Sequence, residues 1–467
     1  YEDLYAAKKT YGQDINTSLG NAADPIDADQ KLQEDALMSY VASVNYSYGD
    51  KYYASFSFRR DGSSRLSPDT RWGNFWSLSA SWRLSQEKFM QSLKSVLSDL
   101  KLRASYGVNG NLPSSYYGYQ STYTTGAFYN GKPSPWESTL GNEELTWEKN
   151  YALNLGLDIG LFSRVNVSLD WYTRTTKDLL MSKQLNSISG FSSLLTNVGQ
   201  MRNTGVELEV RSNNIKTKDF SWTTAFNLSH NKNKILKLAD LPWFVDGRYV
   251  RKEGYPFNTI YLREYAGVDP ETGSALYYDN QQDENGNYTK NKVTDPGQAS
   301  PIPLKDITPT ISGGFMNTFN YKFIDLSFNL SYSFGGYSYD NASYILQDDG
   351  YSVISNKSTE QRRRWQKPGD ITDVPRFVYG NKKGGNYNSS RAIHSTDHIR
   401  LKSLILGLNA PKAWLQKLGI GNARIYFSGT NLLTWAAYGQ YDPEMSGVVG
   451  FYTPPLKTYA FGLELKF

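Results

Sequence analysis

The stretch that most constrains this fold is residues 457–467, where apolar and polar side chains alternate without a break. Every second residue is apolar, namely Tyr459, Phe461, Leu463, Leu465 and Phe467, and the residues between them include Glu464 and Lys466. Successive side chains of a strand point to opposite faces, so this stretch predicts a strand with one apolar and one polar face. Such a strand suits a barrel wall between lipid and a watery lumen, and the closing strand of a soluble β protein is the alternative.

The same alternation recurs along the chain from residue 36 onward. We predict strands at 36–48, 50–60, 72–84, 99–107, 146–160, 163–176, 203–213, 218–232, 309–321, 322–337, 397–409, 421–434 and 457–467. Their polar faces carry mainly Ser, Asn, Asp and Arg, which suits a wide hydrated lumen. The pattern therefore predicts an all-β fold, a transmembrane antiparallel β-barrel that occupies residues 36–467.

The connections between these strands alternate between short and long. The long ones lie at 61–71, 109–145, 177–202, 237–308, 338–396 and 435–456, and two shorter connections, 85–98 and 410–418, look helical. Short turns and long loops on opposite sides are typical of periplasmic turns and extracellular loops. Residues 1–35 show no periodicity and are predicted to be an irregular segment. An odd strand count whose first strand runs inward predicts that this is the C-terminal portion of a larger barrel, with strands upstream of Tyr1.

The composition agrees with a barrel of this kind. Of the 467 residues, 39% are hydrophobic and 15% aromatic, and the mean hydropathy is −0.56. No apolar run is long enough for a membrane-spanning helix, and the aromatic residues suit girdles at the two membrane interfaces. A net charge of +5 without a basic tract excludes a nucleic-acid patch, so no nucleic-acid partner is expected. The absence of cysteine excludes disulfides and thiolate chemistry.

Several ordered stretches resemble the barrel of SusC/RagA-type TonB-dependent outer-membrane transporters. They include residues 58–65 (FRRDGSSR), 71–73 (RWG), 81–90 (SWRLSQEKFM), 100–107 (LKLRASYG), 145–149 (LTWEK), 170–172 (DWY), 197–199 (NVG), 203–208 (NTGVEL), 267–273 (GVDPETG), 400–402 (RLK) and 430–434 (TNLLT). Each stretch is weak alone, but their number and order are specific. The resemblance covers nearly all of residues 36–467.

This resemblance implies the C-terminal portion of a barrel of about 22 strands, plugged by an N-terminal domain. The plug and the first strands are absent from this sequence. The expected function is import of a large nutrient, a glycan, a peptide or another ligand, across the outer membrane of a Gram-negative bacterium. The expected partners are a SusD-like surface lipoprotein, the TonB complex through the absent N-terminal region, the barrel-assembly machinery and outer-membrane lipids. The alternatives are a passive porin-type channel and a barrel enzyme.

The C-terminal strand also resembles the signal that bacterial outer-membrane barrels present during assembly. Its apolar residues, Tyr459, Phe461, Leu463, Leu465 and Phe467, are therefore expected to be recognised by the barrel-assembly machinery during insertion.

No catalytic residue, metal site or cofactor is expected. His394 and His398 are four residues apart, but this segment runs from a loop into a strand and not along a helix. Ser229 and His230 fall on opposite faces of a strand, so they do not form a catalytic pair. Residues 279–287 suggest an exposed turn and not a calcium loop. Residues 361–365 form a small basic cluster, which either contacts phosphates or the partner lipoprotein, or is simply solvated.

Loop 109–145 is the richest in aromatic residues. It carries Tyr116, Tyr117, Tyr119, Tyr123, Phe128, Tyr129 and Trp136. Flat rings above a watery cavity suit both sugar faces and peptide side chains, so these residues are the candidates for contact with substrate or with the partner. The alternative is that the loop packs against itself.

Overall fold

One large antiparallel sheet forms the framework of the molecule. The computed structural model describes residues 2–7, 27–238, 241–381, 388–415 and 419–467. The strands of the sheet are β1 Leu37–Tyr48, β2 Tyr52–Ser63, β3 Trp72–Arg83, β4 Leu97–Asn111, β5 Glu148–Leu161, β6 Val165–Lys177, β7 Gln200–Lys216, β8 Phe220–Lys237, β9 Ile311–Tyr321, β10 Ile324–Phe334, β11 His398–Asn409, β12 Asn422–Ala436 and β13 Thr458–Lys466. Each strand pairs with its neighbours in the chain, so the sheet is a continuous meander.

The thirteen strands confirm the strand assignment made from the sequence. They occur in the predicted order, and most boundaries agree within a few residues. β4, β7 and β8 extend further than predicted at the ends that lead into long loops. Within the described residues, β1 and β13 each pair on one side only, so the sheet is open at both edges.

One face of the sheet is apolar across its whole width. Directly opposed residues of neighbouring antiparallel strands lie on the same face. One such row runs from β3 to β8 through Trp82, Leu102, Leu157, Leu169, Leu208 and Leu228. A second row continues from β8 to β10 through Phe226, Phe315 and Leu330. Phe461 of β13 is 82% exposed on this face, which is consistent with an apolar surface that meets lipid.

The opposite face is polar and held by ion pairs. Arg103 of β4 lies 2.8 Å from Asp158 and 2.9 Å from Asp170, its neighbours on β5 and β6. Arg424 of β12 pairs with Asp325 of β10 at 2.6 Å. Each of these cations reaches a carboxylate across the sheet, so the lumen side of the wall is charged but locally compensated.

The connections at one end of the sheet are short. The β1–β2 turn places Gly49 and Asp50 at φ of 59° and 56°, a left-handed pair that suits a tight hairpin. The two connections predicted to be helical contain 3₁₀ helices Leu84–Gln86 and Lys88–Leu93 and the α-helix Lys412–Leu415, while residues 416–418 lie outside the described residues. No helix among the described residues combines the length and apolar character needed to cross a membrane.

The irregular segment expected over residues 1–35 contains regular structure. Strands Glu2–Ala7 and Asp27–Leu32 pair as an antiparallel ribbon. Alternation of apolar and polar residues does not mark either strand, so the prediction missed them.

The long connections carry secondary structure of their own. Loops 109–145 and 177–202 contain strands Thr122–Tyr129, Lys132–Thr139, Leu180–Gln184 and Ser193–Asn197 and the 3₁₀ helix Ser187–Ser189. Loop 237–308 contains Trp243–Asp246, Tyr249–Lys252, Thr259–Leu262, Tyr265–Val268, Ala275–Tyr278, Lys292–Val293, Ile302–Asp306 and the 3₁₀ helix Pro296–Gln298. Loops 338–396 and 435–456 and their borders contain Tyr337–Asp340, the α-helix Asn341–Leu346, 3₁₀ helices Thr359–Arg363 and Ser390–Ala392, and strands Ile393–Ser395 and Gly447–Val449.

The buried cores lie on this loop side of the sheet. One cluster joins Leu66, Phe75, Val108, Leu145 and Trp147. A second joins Ile260, Leu262, Tyr339 and Ala392. The wall itself exposes both faces, so most complete burial of apolar side chains occurs among the loops.

Candidate ligand site beneath the loop body

Three long loops fold together into a single unit, which we call the loop body: the described residues of 237–308, 338–396 and 435–456. Strand Tyr337–Asp340 is its centre, because it pairs with Ile393–Ser395 in antiparallel and with Gly447–Val449 in parallel orientation. These strands bring together segments that are far apart in the sequence.

Loop 237–308 is bound to loop 338–396 by hydrogen bonds and by a shared core. The backbone amide of Tyr265 donates to Ser390 Oγ at 2.9 Å, and Trp365 Nε1 donates to the carbonyl oxygen of Pro270 at 2.9 Å. The Arg248 guanidinium lies over the Tyr339 ring, 4.5 Å from its centroid. The loops therefore form one packed structure above the sheet.

A buried ion pair stabilises the loop body. Asp349 is fully buried and accepts hydrogen bonds from Arg391 Nη1 at 2.5 Å and from Gln361 Nε2 at 2.9 Å. Burial opposes the charge of Arg391, but Asp349 together with Tyr265 and Tyr277 more than offsets this effect, and the pKa of Arg391 is raised. Burial also raises the pKa of the Tyr265 hydroxyl, whose ring lies beside this guanidinium.

A cleft of about 570 Å³ opens between the loop body and the polar face of the sheet. β11 and β12 contribute Arg400 and Thr434, and the loops contribute Gln347, Tyr438, Asp442, Met445, Phe451 and Tyr452 among others. Aromatic rings, amides and charged groups thus face one space, a combination typical of sites for polar ligands with flat or apolar parts.

Arg400 organises the floor of this cleft. It is only 3% exposed, and its guanidinium donates to Asp442 at 2.7 Å, to Glu444 at 2.8 Å and to Thr434 Oγ1 at 3.0 Å. Three charge-assisted or polar contacts hold this cation in one orientation. The loop 435–456 is therefore anchored directly to the inner wall of the sheet.

Tyr438, which lines the cleft, stacks on His394 behind it. The rings of His394 and Tyr438 are parallel, with centroids 3.7 Å apart, and the Tyr438 hydroxyl donates to Asp340 at 3.1 Å. Burial lowers the pKa of His394 and outweighs the opposite effect of Asp340. Burial likewise raises the pKa of Tyr438, so both groups are neutral near pH 7.

The remaining histidines have structural partners. His398 Nδ1 lies 2.8 Å from the carbonyl oxygen of Thr396, and His230 Nδ1 lies 2.9 Å from that of Thr310. In the part of the chain that the structure describes, no three His, Asp or Glu side chains converge as a metal site would require.

The structure separates the aromatic residues of loop 109–145 into two groups. Tyr116 packs under the Arg65 guanidinium, 4.1 Å from its ring centroid, and Tyr119 packs against the Leu145 cluster. Tyr117, Tyr123, Phe128, Tyr129 and Trp136 are exposed. The last four lie on the hairpin of Thr122–Tyr129 and Lys132–Thr139, whose turn residues Asn130 and Gly131 both have positive φ.

Two loop interpretations can be compared directly with the structure. Asp283 accepts backbone hydrogen bonds from Asn285 at 2.9 Å and from Asn287 at 2.8 Å, which confirms an exposed turn over residues 281–287. Asp279 and Asn280, the first two residues of the predicted turn, are buried. In the basic cluster, Arg362, Arg363 and Arg364 are exposed, and Arg363 pairs with Glu360 at 2.6 Å.

Sequence reasoning missed the cleft because its residues come from distant segments. Arg400 lies in a motif shared with the family, but its partners Asp442 and Glu444 follow in a different loop. The signal available in the sequence was an arginine near the start of a predicted strand, followed by two acidic residues in the next long loop.

Comparison with known proteins identifies the fold family. Residues 3–300, more than half of the 467 residues, match the family described as TonB dependent receptor-like, beta-barrel. TonB-dependent receptor P3 of Formosa agariphila is 33% identical over 93% of this chain and 46% of its own length. TonB-dependent receptor SusC of Bacteroides thetaiotaomicron is 30% identical over 94% of this chain and 45% of its own length.

Solved structures agree with these relatives. The RagAB peptide importer in its closed-closed state superposes on the whole chain with a TM-score of 0.87 at 30% identity, and the match covers 52% of the importer chain. The chain thus spans about half the length of the relatives it matches. A meander with one apolar and one ion-paired face, together with these similarities, shows that the chain belongs to the TonB-dependent receptor β-barrel family and is a homologue of SusC.

Proposed function

We propose that this chain forms part of the wall of an outer-membrane importer for large nutrients. The observation that supports this proposal most strongly is the two-sided sheet, which has an apolar face across thirteen strands and a polar face held by ion pairs. This arrangement separates lipid from an aqueous lumen. The homology with SusC and the likeness to the RagAB peptide importer support nutrient uptake over a general diffusion pore.

The proposed ligand site is the cleft beneath the loop body. Its rings and amides suit a peptide or a glycan, and its position between the loops and the polar face supports this proposal. The exposed aromatic residues of the 122–139 hairpin, together with Tyr117, are proposed as a second surface for the ligand or for a partner. Tyr116 and Tyr119 are proposed to position that hairpin from below.

The proposed partner is a SusD-like surface lipoprotein that rests on the loop body. The folded state of loops 237–308 and 338–396 supports this proposal, because a packed surface offers a defined docking site. We propose that TonB supplies the energy for uptake and that it acts on parts of the receptor outside the thirteen-stranded sheet.

Uptake by the whole receptor tests the transport proposal. The receptor and its lipoprotein are expressed together in a host that lacks its own copies, and uptake of labelled oligopeptides and oligosaccharides is measured with and without functional TonB. We expect uptake of one ligand class to require TonB, and Tyr452→Ala in the cleft to reduce it. Equal uptake without TonB would contradict the proposal and favour a passive channel.

We also propose that the apolar residues of β13 and the adjoining Phe467 are recognised during barrel assembly. Tyr459, Phe461, Leu463 and Phe467 are all exposed on the outer side of the last strand of the sheet. Deletion of Phe467 should reduce the heat-modifiable, folded receptor in outer membranes. The matched change Lys466→Gln should leave this fraction unchanged, and normal assembly after deletion of residues 465–467 would refute the role.

A further inference from the structure

The outer face of the sheet carries a group of cations at the ends of four neighbouring strands. We call it the basic rim: Lys149 of β5, Lys177 of β6, Arg202 of β7, and Lys232 and Lys234 of β8. In register, Lys177 is opposite Lys149, Thr175 is opposite Arg202, and Arg202 is opposite Lys234.

These cations share the apolar face and not the lumen face. On β5, Lys149 belongs to the same alternating set as Leu153, Leu155 and Leu157. On β7, Arg202 belongs to the set of Val206 and Leu208. Alternating residues of a strand lie on one face, so the basic rim projects from the surface that contacts lipid.

The basic rim lies just beyond the apolar band, toward the long loops. Arg202 lies four positions before Val206, the last aliphatic residue of its set toward the long loops. Lys232 lies four positions after Leu228, the last aliphatic residue of its own set. At about 3.4 Å per residue and a tilt of about 40°, this separation is about 10 Å along the membrane normal. That height corresponds to the headgroups of the outer leaflet, because the long loops are on the extracellular side.

Within the described residues the basic rim has few partners: the Lys177 ammonium lies over the Tyr151 ring, 4.9 Å from its centroid, and only Lys149 has a carboxylate nearby. Lys149 has a carboxylate at the limit of an ion pair, Asp178 at 4.0 Å. For Lys177, Arg202, Lys232 and Lys234, which are all exposed, the described ranges of the chain provide no ion-pair partner. Two of the opposed pairs, Lys149 with Lys177 and Arg202 with Lys234, juxtapose like charges, which is unfavourable unless an anion lies between them.

Neighbouring sectors of the outer face show a different composition near the same end of their strands. On β9 to β12 the corresponding positions are Ile311, Phe334, Ile399 and Trp435. On β2 and β3 they include Arg60, whose guanidinium lies over the Trp72 ring, 5.3 Å from its centroid. Concentration of the cations on β5 to β8 therefore marks one sector of the wall.

We propose that the basic rim binds the phosphate groups of phosphorylated glycolipids in the outer leaflet. Cations on four adjacent strands offer several positive charges to a headgroup that bears more than one phosphate, and the apolar residues below them would contact its acyl chains. The hydroxyls of Thr175 and Thr204, which share this face, add hydrogen-bonding groups. The proposal rests on the placement of the sheet in the outer membrane, but not on transport.

Lipid binding by the intact receptor tests the proposal. The receptor is purified from native membranes and delipidated, and its affinity for bisphosphorylated lipid A, dephosphorylated lipid A and inorganic phosphate is measured by thermal shift and native mass spectrometry. The rim variant carries Lys177→Gln, Arg202→Gln, Lys232→Gln and Lys234→Gln. The control variant removes four exposed lysines from the opposite end of the sheet: Lys94→Gln, Lys216→Gln, Lys218→Gln and Lys322→Gln.

We expect bisphosphorylated lipid A to bind the native receptor and the control variant equally, and the rim variant at least about tenfold more weakly. Added salt should weaken binding to the native receptor more than to the rim variant. Heat-modifiability should show that both variants form the barrel. Equal affinity of the two variants, equal binding of dephosphorylated lipid A, or full competition by inorganic phosphate at the same concentration would each overturn the proposal. Loss of nutrient uptake alone would bear on the proposed function and not on this site.

Discussion

At the scale of single residues, the buried Asp349–Arg391 pair governs the stability of the loop body. Removal of one partner from a buried ion pair leaves an uncompensated charge and costs about 3–5 kcal/mol. Arg391→Ala should therefore unfold the loop body locally, because Asp349 would remain fully buried without its main partner. Hydrogen exchange of residues 338–381 in the intact receptor measures this effect.

The neighbouring Arg362→Ala is the matched control, because Arg362 is exposed. The double variant Asp349→Ala, Arg391→Ala should recover part of the lost protection, since it removes both charges. If the loop body were equally protected from hydrogen exchange in the Arg391→Ala and Arg362→Ala variants, the Asp349–Arg391 pair would have no structural role.

His394 should make the loop body sensitive to acid. Its pKa is lowered by burial, so the unfolded segment binds a proton more readily than the folded one. The stabilising contribution is complete above the unfolded pKa of about 6.5 and is lost as the pH falls through the folded pKa, at no more than about 1.4 kcal/mol per pH unit. Pulse proteolysis at pH 7.5 and at pH 5.5 should show weaker protection at the lower pH.

His394→Phe preserves a ring against Tyr438 and removes the proton-binding group. The difference between pH 7.5 and 5.5 should shrink in this variant. An unchanged pH dependence would show that other groups cause it.

At the scale of elements, the faces of each strand could be predicted from the sequence and the loop structure could not. β6 alternates from Val165 to Trp171 because one face meets an apolar and the other a polar medium. Strand Thr259–Leu262 shows no alternation, since both of its faces are packed inside the loop body. The parallel pairing of Tyr339 with Val448 joins positions that no local pattern connects.

The candidate site shows the same limit. The sequence identified loop 109–145 as rich in aromatic residues, and Tyr123 and Trp136 of this loop are exposed. The packing of Tyr119 could not be predicted, because it depends on a cluster that includes the distant residues Leu66 and Leu145. The cleft around Arg400 depends on two loops that meet only in three dimensions.

Adjacent residues of β5 provide a test of the two faces. Leu155 is 46% exposed on the apolar face, beside Ala104 and Trp171, whereas Asn154 faces the polar side and donates to Ser105 Oγ at 3.3 Å. Leu155→Arg should destabilise the barrel by about 2–4 kcal/mol, because the charge would lie in hydrocarbon. Asn154→Arg should cost much less, since its side chain lies on the polar face beside Ser105.

Urea unfolding of the receptor in lipid vesicles compares the two variants. Similar losses of stability for Leu155→Arg and Asn154→Arg would mean that the apolar and polar faces of β5 are assigned wrongly. Spin labels at Val167, Leu208, Phe328 and Phe461 should report lipid contact in the same experiment, because these residues share the apolar face.

At the scale of the whole molecule, the loop body and the wall act as one structure. Arg400 extends from β11 into the loop 435–456, and Tyr337–Asp340 continues from β10 into the centre of the loop body. A partner that moves the loop body would therefore act on the floor of the cleft.

The two open edges of the sheet lead to the last prediction. Within the described residues, β1 and β13 each have an edge without a paired strand, and unpaired backbone groups cost several kcal/mol each in hydrocarbon. We expect further strands to pair with both edges and to close the barrel. Because these 467 residues contain no cysteine, a single cysteine at Val44 on β1 or at Leu463 on β13, which both lie on the apolar face, adds one thiol to this part of the receptor. In receptor extracted from native membranes, cross-linking from both positions followed by mass spectrometry should recover strand peptides from outside these 467 residues. A direct β1–β13 cross-link, with no other peptide, would instead indicate a closed barrel of thirteen strands and contradict this prediction.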